Sequence, residues 1–249
     1  MLPLNGKAQD KGLPEAYVQA EPNEDVAVAP AFLSLMAHEL GQPLAAALGS
    51  TYTLKERTAS NELDDTTREH LYDTAIRNLE QLQALLDSLR VFSEAEAGKL
   101  RVTTTPIGVA RLFRDAEEDF GTPSSRTQVS FVCEQELLAQ VDLMLFRQVL
   151  TNIINNAAKF SPGGSLISVE AHMSNEDTIT FTVSDQGEGF PPDEAERIFG
   201  KSVRLQPGKK GLGVGLFVAK AIVEAHGGRI WAENTSKGAR FSFTVPVAA

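Results

Sequence analysis

Three short runs in the second half of the chain hold residue types able to handle a phosphorylated ligand. "NIINNAAK" places Asn152, Asn156 and Lys159 at i, i+4 and i+7, along one face of a helix. Amide oxygens suit a hard cation such as Mg²⁺, and a lysine ammonium suits phosphate as a point charge. "DQGEGF" closes an apolar run with Asp185, Gly187 and Gly189. A buried carboxylate at a strand end can accept a hydrogen bond from an exocyclic amine such as that of adenine, and the glycines permit close backbone approach or positive φ. "GKKGLGVGLFVAK" sets Lys210, Gly211, Gly213 and Gly215 at the entrance to a helix, where free N–H groups and the helix dipole favour phosphate. This is neither a P-loop, which ends in Gly-Lys-Ser/Thr, nor the dinucleotide fingerprint, because Leu216 stands where its last glycine belongs. Taken singly, the first run is also what a solvated helix face looks like, and the second is also an ordinary turn.

A fourth run, "AHELGQPLAAALG", carries a candidate nucleophile. At about 100° per residue, Leu33, Met36, Leu40, Pro43, Leu44 and Ala47 gather on one side of a helix, and His38 falls nearly opposite with Ser34, Gln42 and Ala45. Glu39 follows directly, able to orient the imidazole or take its proton while the other nitrogen attacks phosphorus. Gly41, Ala45, Ala46 and Gly49 keep bulk away from this part of the helix. Pro43 lacks the N–H that would reach the carbonyl of Glu39, so a bend or loosening is expected one turn beyond the histidine. On its own, a histidine on a solvated face is commonplace.

These residues need elements to position them. Large apolar residues at Leu33, Met36, Leu40, Leu44, Ala47 and Leu54 make one helical stripe, and Tyr72, Ile76, Leu79, Leu82, Leu86 and Leu89 make a second. A polar break from Ser60 to Asp65 separates them, which predicts an antiparallel helical hairpin. Two helices cannot cover two stripes, so the economical solution is a four-helix bundle built by two chains, a homodimer. After Gly98 the texture changes. "ARLFRDAEEDF", "DLMLFRQVLTNIINNAAKF" and "GLFVAKAIVEAHGG" read as helices, the last closed by Gly227. "TQVSFVC", "LISVEAHM", "TITFTVSDQG", "GRIWAEN" and "ARFSFTVPV" read as strands, several in hairpins. The fold class is therefore α+β: a helical hairpin over 30–98 and, over 99–249, an α/β sandwich whose mixed sheet is covered on one face by helices. Residues 1–29, polar and broken by Pro3, Pro14 and Pro22, read as a flexible or loosely docked leader.

Composition bounds the function. With 42% hydrophobic and 22% charged residues, the chain can bury ordinary cores. A formal net charge of −10 argues against nucleic acid as a partner, since a phosphate backbone asks for a basic face. Cys133 is the only cysteine, so neither a disulfide framework nor a cysteine-zinc cluster is available, and a reducing, cytoplasmic setting fits. The most apolar helical stretch, 30–49, is interrupted by His38, Glu39 and Gln42, so no direct membrane insertion is expected, and no signal peptide opens the chain. A membrane signal would arrive through an upstream sensor partner or through a segment outside this chain.

The order of the motifs carries a resemblance. From about Thr104 to Val247 the chain resembles the ATP-binding domain of sensor histidine kinases, within the wider group that includes gyrase, Hsp90 and MutL. "NIINNAAKFSP" looks like the N box, "DQGEGF" the first glycine box, "RIFGKSVR" the F box and "GLGVGL" the second glycine box. "HELGQPL" is similar to the phosphoacceptor H box of the same family, in the form with a glutamine before the proline. The resemblance implies ATP and Mg²⁺ as cofactors, with Asn156 on the metal, Asn152 supporting it and Lys159 on phosphate. It implies Asp185 on the adenine amine, Gly187 and Gly189 giving room, and Gly211, Gly213 and Gly215 holding the triphosphate. Residues 190–210 would form a lid whose Lys201, Arg204, Lys209 and Lys210 can bring positive charge to the phosphates.

The implied activity is autophosphorylation of His38 and relay to an aspartate on the receiver domain of a response regulator. ATPase members of the wider group carry a water-activating glutamate where this chain has Asn152, and an amide cannot be that base. The rival readings are a gyrase-like hydrolase and a catalytically weak nucleotide-binding scaffold or phosphotransfer protein of the same fold. Two departures stand out. Val203 replaces a usual aromatic of the F box, which loosens the lid. Gln42 stands four residues after the histidine, where family members that also act as phosphatases often carry Thr or Asn; a glutamine amide can position a water. Whether a subunit phosphorylates itself or its twin depends on the handedness of the turn near Arg57 to Asp65 and stays open at this level.

Overall fold

The two apolar stripes fold into long helices, α1 (Glu24–Ala59) and α2 (Asp65–Glu96), that pack against each other. The structure, a computed structural model, describes residues 24–59, 63–120, 128–133, 136–201, 203 and 212–248. Helix α1 begins inside the stretch assigned to the leader, whose remaining residues lie outside those described. The start of α2 follows from Asp64, whose carboxylate accepts hydrogen bonds from the backbone N–H and the hydroxyl of Thr67, both at 2.8 Å. The bond from the Thr67 backbone, above all, favours the charged form and holds the Asp64 carboxyl below its ordinary value.

Helix α1 passes through Pro43 without interruption, contrary to the loosening expected there. Proline removes one N–H bond, and Pro43 is itself buried, so packing holds the turn that the missing bond would have held. The stripe on α1 also divides. Glu39, Pro43, Ala47, Ser50 and Leu54 are buried, whereas Leu33, Leu44, Leu48 and Tyr52 are exposed. On α2, Tyr72, Ile76, Leu79 and Leu86 are likewise exposed. The hairpin thus has one apolar face turned inward and another left open.

The second unit opens with strand β1 (Thr105–Gly108), helix α3 (Val109–Phe120), strand β2 (Gln128–Cys133) and strand β3 (Leu138–Val141). It continues through α4 (Leu143–Phe160), β4 (Leu166–Asn175), β5 (Thr178–Ser184), α5 (Gly215–Ala225), β6 (Ile230–Asn234) and β7 (Ala239–Pro246). Two short 3₁₀ turns, Pro192–Glu194 and Arg197–Phe199, precede α5. The main sheet has the order β2-β4-β5-β7-β6, with β2 parallel to β4 and the other pairs antiparallel. Strands β1 and β3 form a separate antiparallel pair.

Period-two patterning decides which face of the sheet is covered. Ile179, Phe181 and Val183 on β5, with Phe241, Phe243 and Val245 on β7, are buried in one core with residues of α3, α4 and α5. Thr180, Thr182, Ser242 and Thr244 alternate with them. At the centre, Phe181 and Phe243 stack at 5.2 Å, and Phe146 of α4 meets Phe181 edge-on at 4.9 Å. His226, at the end of α5, joins two helices: its Nδ1–H donates to the Ile222 carbonyl (2.8 Å), and its Nε2 accepts the Asp142 N–H (2.9 Å). Asp142 in turn caps α4 through Leu145 N and accepts from Thr103 N.

The hairpin and the sheet unit touch. Phe92 of α2 lies between Phe32 of α1 and Phe217 of α5, with ring centroids at 5.4 and 5.2 Å. Gln148 of α4 donates to the Ser88 hydroxyl of α2 at 3.4 Å, and Lys201 pairs with Glu96 at 2.7 Å.

Candidate active site

Between α4, α5 and the hairpin lies a cavity of about 700 Å³, a size typical of small-molecule sites. Helix α4 contributes Asn152, Asn156 and Lys159, all on the wall as their spacing predicted. The same eight-residue span turns Ile153, Ile154 and Ala157 into the core, so one helix both anchors the unit and presents the polar row.

Asp185 stands at the end of β5, 6% exposed, and also on the wall. Its Oδ1 accepts the backbone N–H groups of Gly187 (2.8 Å) and Ala239 (3.0 Å). Those bonds fix the carboxylate and leave Oδ2 to accept from a ligand, which is what an amine donor on a purine needs. The surrounding glycines are demanded by contact. A Cβ on Gly187 would stand 2.7 Å from the Phe160 carbonyl oxygen, and one on Gly238 would stand 2.4 Å from that of Asp185. Gly189 has φ +74°, and a Cβ there would meet Asn234 Oδ1 at 2.5 Å.

Asn234 and Gly238 support the 185–190 loop, a role that sequence reasoning missed. Asn234 grips Phe190 twice, its Oδ1 accepting from Phe190 N (3.1 Å) and its Nδ2 donating to Phe190 O (2.6 Å). In the sequence it is one polar residue at the end of a strand, and Gly238 is one glycine in a turn. Only their placement beside "DQGEGF" identifies them.

On the phosphate side, Gly213 has φ +71° and Gly215 begins α5, with Asn152 Oδ1 3.5 Å from the place a Cβ on Gly215 would take. Asn152 Nδ2 is buried without a hydrogen-bond partner. Buried polar atoms of this kind call for a ligand, and this one sits in the cavity wall. Lys159 is exposed, its ammonium 5.1 Å from the Phe160 ring centroid. Arg204, Lys209, Lys210 and Gly211 lie outside the described residues. Lys201, expected near the phosphates, is instead engaged with Glu96 of α2. Val203 does reach the cavity wall, and Phe190 and Phe199 both pack on Phe241, at 6.3 and 6.4 Å.

No group of three or more His, Cys, Asp or Glu side chains suited to a metal occurs among the described residues. A Mg²⁺ that arrives with a nucleotide is usually held by one or two protein oxygens plus phosphates and water. The Asn156 amide can serve as such an oxygen.

His38 is exposed, and Gln42 Nε2 lies 3.2 Å from its Nε2. In the tautomer that carries its ring proton on Nδ1, His38 Nε2 can accept from this amide. Glu39, expected to serve the imidazole, is 8% exposed and forms part of the cavity wall. His38 does not line it. The structure thus brings the neighbour of the candidate acceptor, rather than His38 itself, to the cavity.

Comparison with known proteins gives consistent assignments for both units. Residues 31–98 match the His Kinase A (phospho-acceptor) domain, and residues 141–249 match the Histidine kinase-, DNA gyrase B-, and HSP90-like ATPase family. An Adaptive-response sensory kinase SasA from Synechococcus sp. (strain CC9311) is 35% identical over 231 residues, covering 86% of this chain and 56% of the relative. SasA from Synechococcus sp. (strain JA-3-3Ab) is 30% identical, covering 86% and 58%. The Sensor protein KdpD of Clostridium acetobutylicum is 29% identical over 86% of this chain and 24% of its own length. The chain therefore spans a little over half the length of the SasA relatives and about a quarter of KdpD. Among solved structures, full-length ShkA in complex with AMPPNP aligns with a TM-score of 0.61 at 24% identity, over 88% of this chain and 46% of that one. The Acinetobacter baumannii histidine kinase AdeS aligns at 0.58 and 19%, over 85% and 98%. These two likenesses are of fold.

Proposed function

Since the chain belongs to the sensor histidine kinases of two-component signalling, we propose that it transfers the γ-phosphoryl group of ATP to its own His38 and passes it on to an aspartate of a response regulator. The observation that carries this reading is a purine-type cavity, with Asp185 Oδ2 free, opening onto a hairpin that bears an exposed histidine.

Asp185 reads the adenine amine while Gly187, Gly189 and Gly238 keep the backbone close enough for the base to enter. Gly213, Gly215 and the start of α5 receive the phosphates on backbone N–H groups, with Lys159 as a nearby cation. Asn156, supported by Asn152, holds Mg²⁺, which when bound offsets charge on the phosphate oxygens. In the tautomer that carries its ring proton on Nδ1, His38 has its lone pair on Nε2, 3.2 Å from the Gln42 amide nitrogen. That lone pair attacks the γ-phosphorus in line; the N–P bond forms, the bridging O–P bond breaks, and its electron pair leaves with ADP. The Nδ1 proton passes to water, because His38 is exposed and Glu39 is buried in the cavity wall. In the relay, a carboxylate oxygen of the regulator attacks the same phosphorus and the N–P bond breaks. Asn152 on α4 offers no base for water, so the cavity favours transfer over hydrolysis.

The reading extends to assembly and place. Leu33, Leu44, Leu48, Tyr52, Tyr72, Ile76, Leu79 and Leu86 form an exposed apolar face suited to a second copy, giving a homodimeric four-helix bundle. An ATP donor and a response-regulator acceptor put the reaction in the cytoplasm, and no described helix is long and apolar enough to cross a membrane. The proposed domain limits fall just after the end of α2 at Glu96: hairpin over 30–98, nucleotide unit over 99–249.

Incubation with γ-labelled ATP tests the proposal. Acid-labile, alkali-stable label on the wild type and none on His38→Ala is the expected result. Label that persists on His38→Ala removes the acceptor assignment, and release of phosphate without labelled protein indicates a hydrolase.

A further inference from the structure

If the chain is a dimeric kinase, two nucleotide cavities face two acceptor histidines, and nothing in the motifs says which cavity serves which. Resting on that reading, we infer that each subunit phosphorylates its own His38. The cavity is walled by its own hairpin: Glu39 from α1 and Gln81, Leu85 and Ser88 from α2. Three contacts hold it against that hairpin, through Phe92 and Phe217, Ser88 and Gln148, and Glu96 and Lys201.

The displacement needed to engage His38 is small. His38 precedes Glu39 on α1, so it lies about 100° round the helix and about 1.5 Å along it. With side chains at a radius of about 5–6 Å, the path from Glu39 to His38 is an arc of about 10 Å. The covalent link allows it. Helix α2 ends at Glu96, and the nucleotide unit is tied down again at Thr103, whose N–H bonds to Asp142 Oδ2 at 3.0 Å. Residues Ala97–Val102 between them reach at most about 20 Å when extended. Gly98, at φ +62°, sits in this link where a backbone turn is least restricted. A link this short confines each nucleotide unit to the neighbourhood of its own hairpin.

The dimer face leaves the path clear. Leu44 and Leu48 lie about 140° and 180° from Glu39 in the direction of increasing residue number, whereas His38 lies about 100° the other way. A second copy seated on Leu44 and Leu48 therefore does not come between the cavity and its own acceptor. On transfer, the N–P bond forms on the same chain whose Asp185 holds the adenine, and ADP leaves from that chain.

Heterodimers with distinguishable tags test the inference. One pairs His38→Ala with Asp185→Asn; the other pairs the wild type with the double variant His38→Ala/Asp185→Asn. At an ATP concentration well below that needed to fill the Asp185→Asn cavity, action within a subunit leaves the first pair unlabelled and labels the wild-type chain of the second at about half the rate of the wild-type homodimer. Label on the Asp185→Asn chain of the first pair, with none on the second, overturns it. Failure of the underlying kinase reading looks different, because the wild-type homodimer itself then takes no label on His38. A labelling rate per chain that is independent of protein concentration, down to dilutions at which the dimer dissociates, also supports action within a subunit.

Discussion

At the scale of single residues, the site is held by contacts that tolerate little change. Asp185→Asn keeps the shape but turns an acceptor into a donor opposite the adenine amine. A hydrogen bond to a charged group is worth about 1.5–3 kcal/mol, so ATP affinity should fall about ten- to a hundredfold in a fluorescent-nucleotide titration. Gly238→Ala places a methyl 2.4 Å from the Asp185 carbonyl oxygen. It should destabilise the protein by about 1–3 kcal/mol in urea unfolding and weaken nucleotide binding as well, because the crowded group is the adenine reader. Gln42→Ala frees the nucleophilic nitrogen of His38. Losing a bond of about 0.5–1.5 kcal/mol should raise the initial rate of His38 labelling by about two- to tenfold while slowing dephosphorylation of the regulator, where the amide positions water. Equal loss of both activities would assign Gln42 a purely structural role.

At the scale of elements, local periodicity was readable and distant pairing was not. The row Asn152, Asn156 and Lys159 could be placed on one helix face because i, i+4 and i+7 fix it. The Asp185 loop was legible as a strand end with two glycines. By contrast, β1 and β3 are four residues each and pair with one another across the chain, with one further bridge from Ala139 to Val247, so neither carries a pattern long enough to see. Asn234 and Gly238 serve a loop some 50 residues earlier, a relation no window contains. The fate of Glu39 was equally hidden, since its burial follows from the way one unit leans on the other. One contact between units yields a prediction of its own. The Lys201–Glu96 pair is partly exposed and worth about 0.2–1 kcal/mol, so Glu96→Gln should leave the Tm nearly unchanged. Releasing Lys201 from α2 should nonetheless speed His38 labelling by up to about fivefold, because the unit must leave its resting contacts to reach the histidine. Acid should act at the start of α2. The Asp64 carboxyl is lowered from 3.8, so its capping contribution is complete above that value and is lost as the pH falls through the lower folded one. Exchange protection of the Thr67 amide should decline in that window and become pH-independent in Asp64→Ala.

At the scale of the whole molecule, the exposed face of the hairpin sets the assembly. Ile76→Glu puts a charge in the middle of that face, and light scattering should then report a monomer. With each cavity serving its own helix, that monomer should still label itself. The adenine reader adds a constraint in time. Asp185 is emitted early, yet one of its two orienting N–H groups belongs to Ala239, 54 residues later, and its floor is Gly238. A nascent chain therefore presents the histidine, the asparagine row and the carboxylate well before it can grip a nucleotide. The β6–β7 hairpin thus completes the surroundings of Asp185 last among the strands of the sheet, and the asparagine row and the carboxylate wait for it.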